Sequence, residues 1–403
     1  MGEAADIGRR VQRLRIGSGA ALGDIADALG VSSEELSAIE SGAREIGDTE
    51  LTVFAEFVGV SELAILEPDS LLGRLAVAPR AGDETLSTRE AHRRLTALAE
   101  IHHVLRGGGH DARPRVVNVP DDGTVGWLSQ ANRLAEWAGQ RLGNLTSDPP
   151  EADRFAALAA AIESQFGVDV MVESLGKDGP LGMAMTDPEF PFILINADMI
   201  RPRSTFTLAH ELGHVLAGDG SEIKIDEDLR GDNDEERLAN AFAAALLMPE
   251  QRVNSLIEEH GRDAKCLAMM ILYFGVSFES LIYRLHNLQV INAAGRDALR
   301  NAGLHGLLRK LENTEESAML LAARERLPRK PPLHLTTRCI GGIWDGTISA
   351  APLAGLLGVE TDDLVEKLRN AWETADAITE DYSTPKDSPD VVERAYDADP
   401  VAV

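Results

Sequence analysis

Residues 204–214 read STFTLAHELGH, and this stretch decides the fold around it. We predict a helix here, capped at its start by Ser204. Side chains four residues apart lie on one face of a helix, so His210 and His214 can bind a single divalent ion, and zinc is the usual choice. Glu211 projects from the same turn and can take a proton from water that the ion acidifies. The pattern therefore predicts a hydrolytic zinc site.

A third ligand is expected from the next helix, because a catalytic zinc takes three protein ligands and leaves one position open. A second helix is predicted from about Asp234 to the proline at 249, and Glu235 and Glu236 lie in its first turns. Helical spacing favours Glu236 and leaves Glu235 as the alternative. Imidazole and carboxylate ligands also suit manganese, which is therefore the alternative metal.

Three motifs, in this order along the chain, resemble the ImmA/IrrE family of bacterial zinc metallopeptidases. They are FTLAHELGHVLAG at 206–218, ERLANAFAAALLMP at 236–249 and FGVSFESLIYRLHNL at 274–288. The resemblance covers about residues 155–292 and implies a gluzincin-like α+β fold, in which a small sheet packs against the metal helices. It carries the ligand roles onto His210, His214 and Glu236, and the role of catalytic base onto Glu211.

The resemblance also implies a substrate class. Family members cleave helix-turn-helix repressors, so the expected partner is such a repressor or an antitoxin-like protein. We expect the substrate to lie extended along an edge strand and to pair with the strand Phe192–Asn196. The alternative function is a DNA-binding transcriptional regulator whose peptidase-like domain acts mainly as a sensor.

The N-terminal segment resembles the XRE, or Cro/repressor-like, helix-turn-helix of bacterial regulators. Its sequence at 10–44 is RVQRLRIGSGAALGDIADALGVSSEELSAIESGAR. In that family the second helix of the motif presents its first exposed residues to base edges. The candidate DNA contacts here are Ser33, Glu34, Ser37 and Arg44.

Charge opposes DNA binding by this segment. Residues 1–66 hold twelve acidic and five basic residues, whereas most DNA-reading modules are basic. The five basic residues offer one positive edge, formed by Arg9, Arg10, Arg13, Arg15 and Arg44. The alternative is a protein-interaction module that forms a homodimer or docks a partner, since such a surface needs no net positive charge.

We predict a mainly α, multidomain protein. The expected parts are a helix-turn-helix unit at 1–66, a helical connector at 67–150, the metallopeptidase domain at 151–292, a C-terminal helical domain at 293–378 and a disordered acidic tail at 379–403. Short strands are expected at Val168–Val172 and Phe192–Asn196. The stretch 342–369 predicts a short helix, a Gly-Val turn and a second helix.

Bulk composition limits the cellular setting. The formal net charge of −27 gives a polyanion no overall attraction. No apolar run of membrane-spanning length and no signal-peptide pattern is present, so we expect a cytoplasmic protein without membrane contact. Cys266 and Cys339 belong to no metal-type pair and are expected to be buried thiols.

Overall fold

The computed structural model describes residues 3–18, 20–58, 60, 62–66, 86–110, 126–143, 154–187, 190–218, 223–226 and 233–383. The chain divides into two compact units, Met1–Thr347 and Ile348–Val403. Parts of the predicted connector, 67–85, 111–125 and 144–150, lie outside the described residues, as does 384–403 of the predicted tail. The described residues are mainly helical with a small sheet, which agrees with the predicted mainly α, multidomain protein. The finer division into five parts stays a prediction.

The N-terminal helices bury the positions that the sequence pattern turns inward. Ile25, Leu36 and Phe54 are each fully buried. Ser32 caps the third helix and forms a reciprocal capping box with Glu35. The helices of this part are α1 (Glu3–Ser18), α2 (Leu22–Leu29), α3 (Ser33–Glu40), α4 (Asp48–Val58) and α5 (Glu62–Leu66).

The first unit also contains a small sheet and a further series of described helices. They are α6 (Leu86–Gly107), α7 (Trp127–Leu142), α8 (Arg154–Phe166), α9 (Arg201–Ala217), α10 (Asp234–Leu247), α11 (Glu250–His260), α12 (Ala264–Phe274), α13 (Phe278–Asn287), α14 (Ala293–Lys310), α15 (Glu315–Ala322) and α16 (Leu333–Trp344). Helix α9 packs on the sheet and on α10. Both cysteines are free and buried, as the sequence predicts.

The sheet has four strands in the order β1-β3-β2-β4. Strand β3 pairs in parallel with β1 and antiparallel with β2, and β2 pairs antiparallel with β4. Because β3 is hydrogen-bonded on both sides, the expectation that a substrate pairs with Phe192–Asn196 is wrong. The strands are β1 (Asp169–Glu173), β2 (Gly182–Met185), β3 (Phe192–Asn196) and β4 (Ile223–Asp226).

A segment beyond the predicted domain end at 292 attaches to this sheet. Lys330 bridges the outer edge of β1 through two main-chain hydrogen bonds with Val172, of 2.8 and 3.0 Å. Arg326 bridges Ile200, the residue directly before α9. We name residues 325–335 the strap. The strap joins the α15–α16 region to the peptidase-like core.

The second unit contains α17 (Ala350–Leu357) and α18 (Thr361–Ser383). Gly358 ends α17 in the left-handed conformation, with a φ of 69°, at the Gly-Val turn that the sequence predicts. Residues 379–383 of the predicted disordered tail are the end of α18 rather than part of a coil.

No single described helix has the length and apolar character of a membrane span, although α12 and α13, bent by 105° at their junction, pass those criteria as a pair.

Candidate metal centre

Helix α9 places both histidines at the centre of the fold. It begins at Arg201, with Ile200 as its extended N-cap residue, so Ser204 is not the cap that the sequence predicts. Pro202 explains the earlier start, because proline fits the first turn of a helix, where an amide hydrogen has no partner. Ser204 instead lies inside the helix and donates its hydroxyl to the Ile200 carbonyl at 3.4 Å.

Helix α10 supplies the carboxylate. Asn233 caps it, and the Asn233 side chain accepts a hydrogen bond of 2.8 Å from the Glu236 amide. This cap fixes the first turn, in which Glu236 is half-buried and Glu235 is exposed. The start at Asp234 agrees with the sequence prediction, and the structure adds Asn233 as the cap.

Donor atoms of three residues meet between the two helices. The Nε2 atoms of His210 and His214 are 3.0 Å apart. The Glu236 carboxylate oxygens lie 3.3 Å from His210 Nε2 and 3.4 Å from His214 Nε2. Both imidazoles are buried, and the Glu236 side chain is 16% exposed. The structure therefore brings together Glu236, rather than Glu235, with the two histidines.

The cluster fits a zinc ion. Tetrahedral ligands about 2.1 Å from zinc stand about 3.4 Å from one another. Each imidazole nitrogen lies near this distance from one Glu236 oxygen, at 3.3 and 3.4 Å, and the two nitrogens are 3.0 Å apart. Two imidazole nitrogens and one carboxylate oxygen form the donor set of a catalytic zinc with one open position. The imidazole majority favours zinc over manganese, which prefers oxygen ligands. Hydrogen bonding to His210 and then to His214 holds the pKa of Glu236 well below its ordinary value.

Glu211 is fully buried and lies against strand β2. A Cβ atom added to Gly182 would stand 2.5 Å from Glu211 Oε1 and 2.7 Å from the methyl carbon of Thr207. Gly182 therefore makes the space that Glu211 occupies. Sequence reasoning missed this glycine, although a glycine inside a strand often marks the close approach of another group.

A second glycine allows α9 and α10 to approach closely. A Cβ atom on Gly213 would lie 3.0 Å from a ring carbon of Phe242 and 3.1 Å from the Cα of Ala239. Both contacts would be shorter than ordinary van der Waals contact, so a side chain there would press against α10. Gly213 thus sets the helix separation that lets Glu236 reach both imidazoles.

The candidate DNA contacts lie elsewhere, at the start of α3 and just beyond its end. Ser33, Glu34 and Ser37 are exposed, and Ser37 donates its hydroxyl to the Ser33 carbonyl at 2.9 Å. Arg44 makes a two-point ion pair with Glu50, at 2.6 and 3.1 Å, which raises the pKa of Arg44.

Carboxylates or burial engage four of the five arginines of the expected positive edge. Arg15 makes a two-point ion pair with the buried Glu40, and Arg9 pairs with Asp6. Arg10 is buried and donates to the Leu66 carbonyl at 3.3 Å.

Two histidines one turn apart, a carboxylate from a second helix and a buried glutamate beside the first histidine are the parts of a metallopeptidase centre. Residues 163–286 match the Peptidase_M78 family, described as the IrrE N-terminal-like domain. This segment therefore matches the IrrE N-terminal-like domain family, and the predicted resemblance to ImmA/IrrE is confirmed for it.

Two curated relatives are similar to part of the chain. The radiation response metalloprotease IrrE of Deinococcus radiodurans is 38% identical over 125 residues, which are 30% of this chain and 37% of that protein. The radiation response metalloprotease IrrE of Deinococcus deserti is 38% identical over 104 residues, which are 25% of this chain and 37% of that protein. The matches thus span little more than a third of each relative's length.

Proposed function

We propose that this protein is a zinc-dependent endopeptidase of the gluzincin type. The observation that carries the proposal is the meeting of two imidazole nitrogens, 3.0 Å apart, with one oxygen of the Glu236 carboxylate 3.3 Å from His210 and the other 3.4 Å from His214, while the buried Glu211 lies next to the first ligand. In this role His210, His214 and Glu236 hold the zinc ion. When bound, the zinc ion would act as a Lewis acid that polarises the scissile carbonyl and lowers the pKa of a water molecule.

Glu211 carries the proton in this mechanism. Its carboxylate accepts the proton of the attacking water and then gives it to the leaving amine. Burial excludes competing solvent from the carboxylate, and Gly182 leaves it room beside β2. The proposed ligands and base thus all come from two helices, α9 and α10.

We propose that an extended substrate pairs with the end strand of the sheet, β4, since β3 is enclosed. The strand order places β4 beyond β2, the strand against which Glu211 lies. The other end strand, β1, already pairs with the strap at Lys330. An added peptide strand would gain main-chain hydrogen bonds along β4.

The proposed substrate is a helix-turn-helix repressor or an antitoxin-like partner, cleaved to relieve repression in a stress or mobile-element response. The family resemblance supports this substrate class, and the two Deinococcus relatives are named radiation response metalloproteases, which supports a stress response. The alternative, a DNA-binding regulator with a sensing peptidase-like domain, is disfavoured because Arg9, Arg15 and Arg44 are engaged by carboxylates. The N-terminal helices are better suited to docking a protein or a second copy of this chain.

A cleavage assay tests the function. The full-length protein with added zinc is incubated with purified helix-turn-helix repressors, and the products are identified by intact-mass spectrometry. We expect one or a few defined cuts that disappear in Glu211→Gln, although this variant keeps its zinc. Cleavage by Glu211→Gln at the wild-type rate would exclude the assigned base, and binding of a promoter without any cleavage would favour the regulator.

A further inference from the structure

The hydroxyl of Thr207 stands out among the polar groups of α9. Thr207 is fully buried, and its Oγ1 has no hydrogen-bond partner among the described residues. The neighbouring Thr205 is also buried, but it donates its hydroxyl to the Arg201 carbonyl at 3.1 Å, one turn back along the helix. A buried hydroxyl without a partner costs free energy, so its presence calls for a specific reason.

The position of Thr207 supplies a reason. Thr207 precedes Glu211 by four residues, which stacks the two side chains on one helix face. The Thr207 methyl carbon and Glu211 Oε1 both lie against the bare Cα of Gly182, at 2.7 and 2.5 Å from the point where a Cβ would stand. These two side chains therefore share the space that Gly182 leaves.

A rotation about the Cα–Cβ bond of Thr207 changes what faces Glu211. One staggered step exchanges the methyl group for the hydroxyl, and threonine in helices populates two such rotamers. In the rotated state Oγ1 would take the place of the methyl carbon, beside the space that Glu211 Oε1 occupies, and could donate its hydrogen to the carboxylate. The same step gives the buried hydroxyl a partner.

We propose that Thr207 is the positioning residue for Glu211, donating a hydrogen bond to one carboxylate oxygen so that the other oxygen faces the reacting water. This inference rests on the proposed function, because it takes Glu211 as the base. It adds a residue whose hydroxyl acts only through Glu211 and binds neither metal nor substrate.

The test uses four full-length proteins loaded with cobalt(II), whose visible spectrum reports the metal and its ligands. They are the wild type, Thr207→Val, which keeps the shape but lacks the hydroxyl, Thr207→Ser, which keeps the hydroxyl, and the matched control Thr205→Val. Each is titrated with cobalt(II) and then with acetohydroxamate, which chelates the metal and hydrogen-bonds to a correctly placed carboxylate. A thermal unfolding curve of each protein checks that all four are folded.

We expect the same cobalt affinity in all four proteins. Acetohydroxamate binding should weaken about tenfold in Thr207→Val, the size of one lost charge-assisted hydrogen bond, and should stay near the wild-type value in Thr207→Ser and Thr205→Val. Wild-type acetohydroxamate affinity in Thr207→Val, or an equal loss in Thr205→Val or Thr207→Ser, would overturn the inference while leaving the metal site intact. Failure of the wild type to bind cobalt(II) would instead overturn the proposed function, and this inference with it.

Discussion

Gly213 on α9 and Ala239 on α10 are in direct contact, since a Cβ atom on Gly213 would lie 3.1 Å from the Ala239 Cα. Glu236 lies three residues before Ala239, on the turn of α10 that faces the histidines. The contact between these two small residues therefore sets the position of the third ligand.

Replacing Gly213 with alanine should push the two helices apart and weaken zinc binding about tenfold or more, as changes next to metal ligands commonly do. Zinc affinity can be measured by competition with a chromophoric chelator. The matched control is Gly139→Ala on α7, where a Cβ would meet only Leu246 at 3.8 Å, an ordinary contact. Equal zinc affinities in the two variants would argue against a positioning role for Gly213.

Glu236→Ala should lose most of its bound zinc, because two imidazoles alone complete only half of a tetrahedral site. Glu235→Ala is the matched variant, since Glu235 is in the same turn but exposed. It should keep a full equivalent of zinc, measured by elemental analysis after dialysis. Loss of zinc from Glu235→Ala with retention in Glu236→Ala would reverse the ligand assignment.

Gly182→Ala should lower the cleavage rate by about a hundredfold or more while zinc content stays at one equivalent, because a misplaced base costs at least this much. The new methyl group would stand 2.5 Å from Glu211 Oε1 and must displace the carboxylate. Cleavage kinetics and zinc content are measured on the same sample. Unchanged kinetics would show that Glu211 can work from another position.

Asp169 should make stability depend on pH. Burial, and then the neighbouring Glu163 carboxylate, raise the pKa of Asp169 from 3.8 to about 7, while Arg338 opposes the shift. The folded state thus favours the protonated carboxyl, and the resulting stabilisation is complete below pH 3.8 and is lost as pH rises through 7.

The variant Asp169→Asn cannot ionise and keeps an oxygen for the Leu335 amide, which lies 3.2 Å from the Asp169 carboxylate. The melting temperature of the variant minus that of the wild type should be larger at pH 8 than at pH 5. The measurement is made in a metal chelator so that zinc binding does not contribute. A difference in melting temperature that is the same at both pH values would contradict the assignment.

DNA binding by the N-terminal helices should be absent or weak. We expect no saturable binding of a mixed-sequence 30-base-pair duplex, measured by fluorescence anisotropy at low salt, where phosphate contacts are strongest. Arg44→Ala should leave the titration unchanged, because Glu50 already engages this side chain. Salt-sensitive binding that Arg44→Ala abolishes would restore the regulator hypothesis.

The parts of the site that could be predicted from sequence are those set by local helical geometry. The spacing of His210 and His214, and the position of Glu236 in the first turn of α10, follow from the period of a single helix. Gly182 and Thr207 could not be assigned in this way, because their roles depend on the packing of α9 against β2.

Strand order and ion pairing also lie beyond local patterns. The strand Phe192–Asn196 was predicted at the correct residues, yet its interior place in the sheet depends on pairing with β1 and β2. The arginines of the N-terminal segment were counted correctly, but their partners Glu40 and Glu50 are brought to them only by folding. A charge count therefore overstated the cationic surface of this segment.

The strap ties the family segment to the chain that follows it, through bridges at Val172 and Ile200. A fragment ended at residue 292 would leave the outer edge of β1 with open main-chain hydrogen-bonding groups, and such edges invite aggregation. It would also remove the anchor of Ile200 at the start of the helix that carries both histidines. The helix that carries both histidines is thus supported by residues outside the matched family segment, 163–286, and we expect insertions or truncations between 293 and 335 to change its stability.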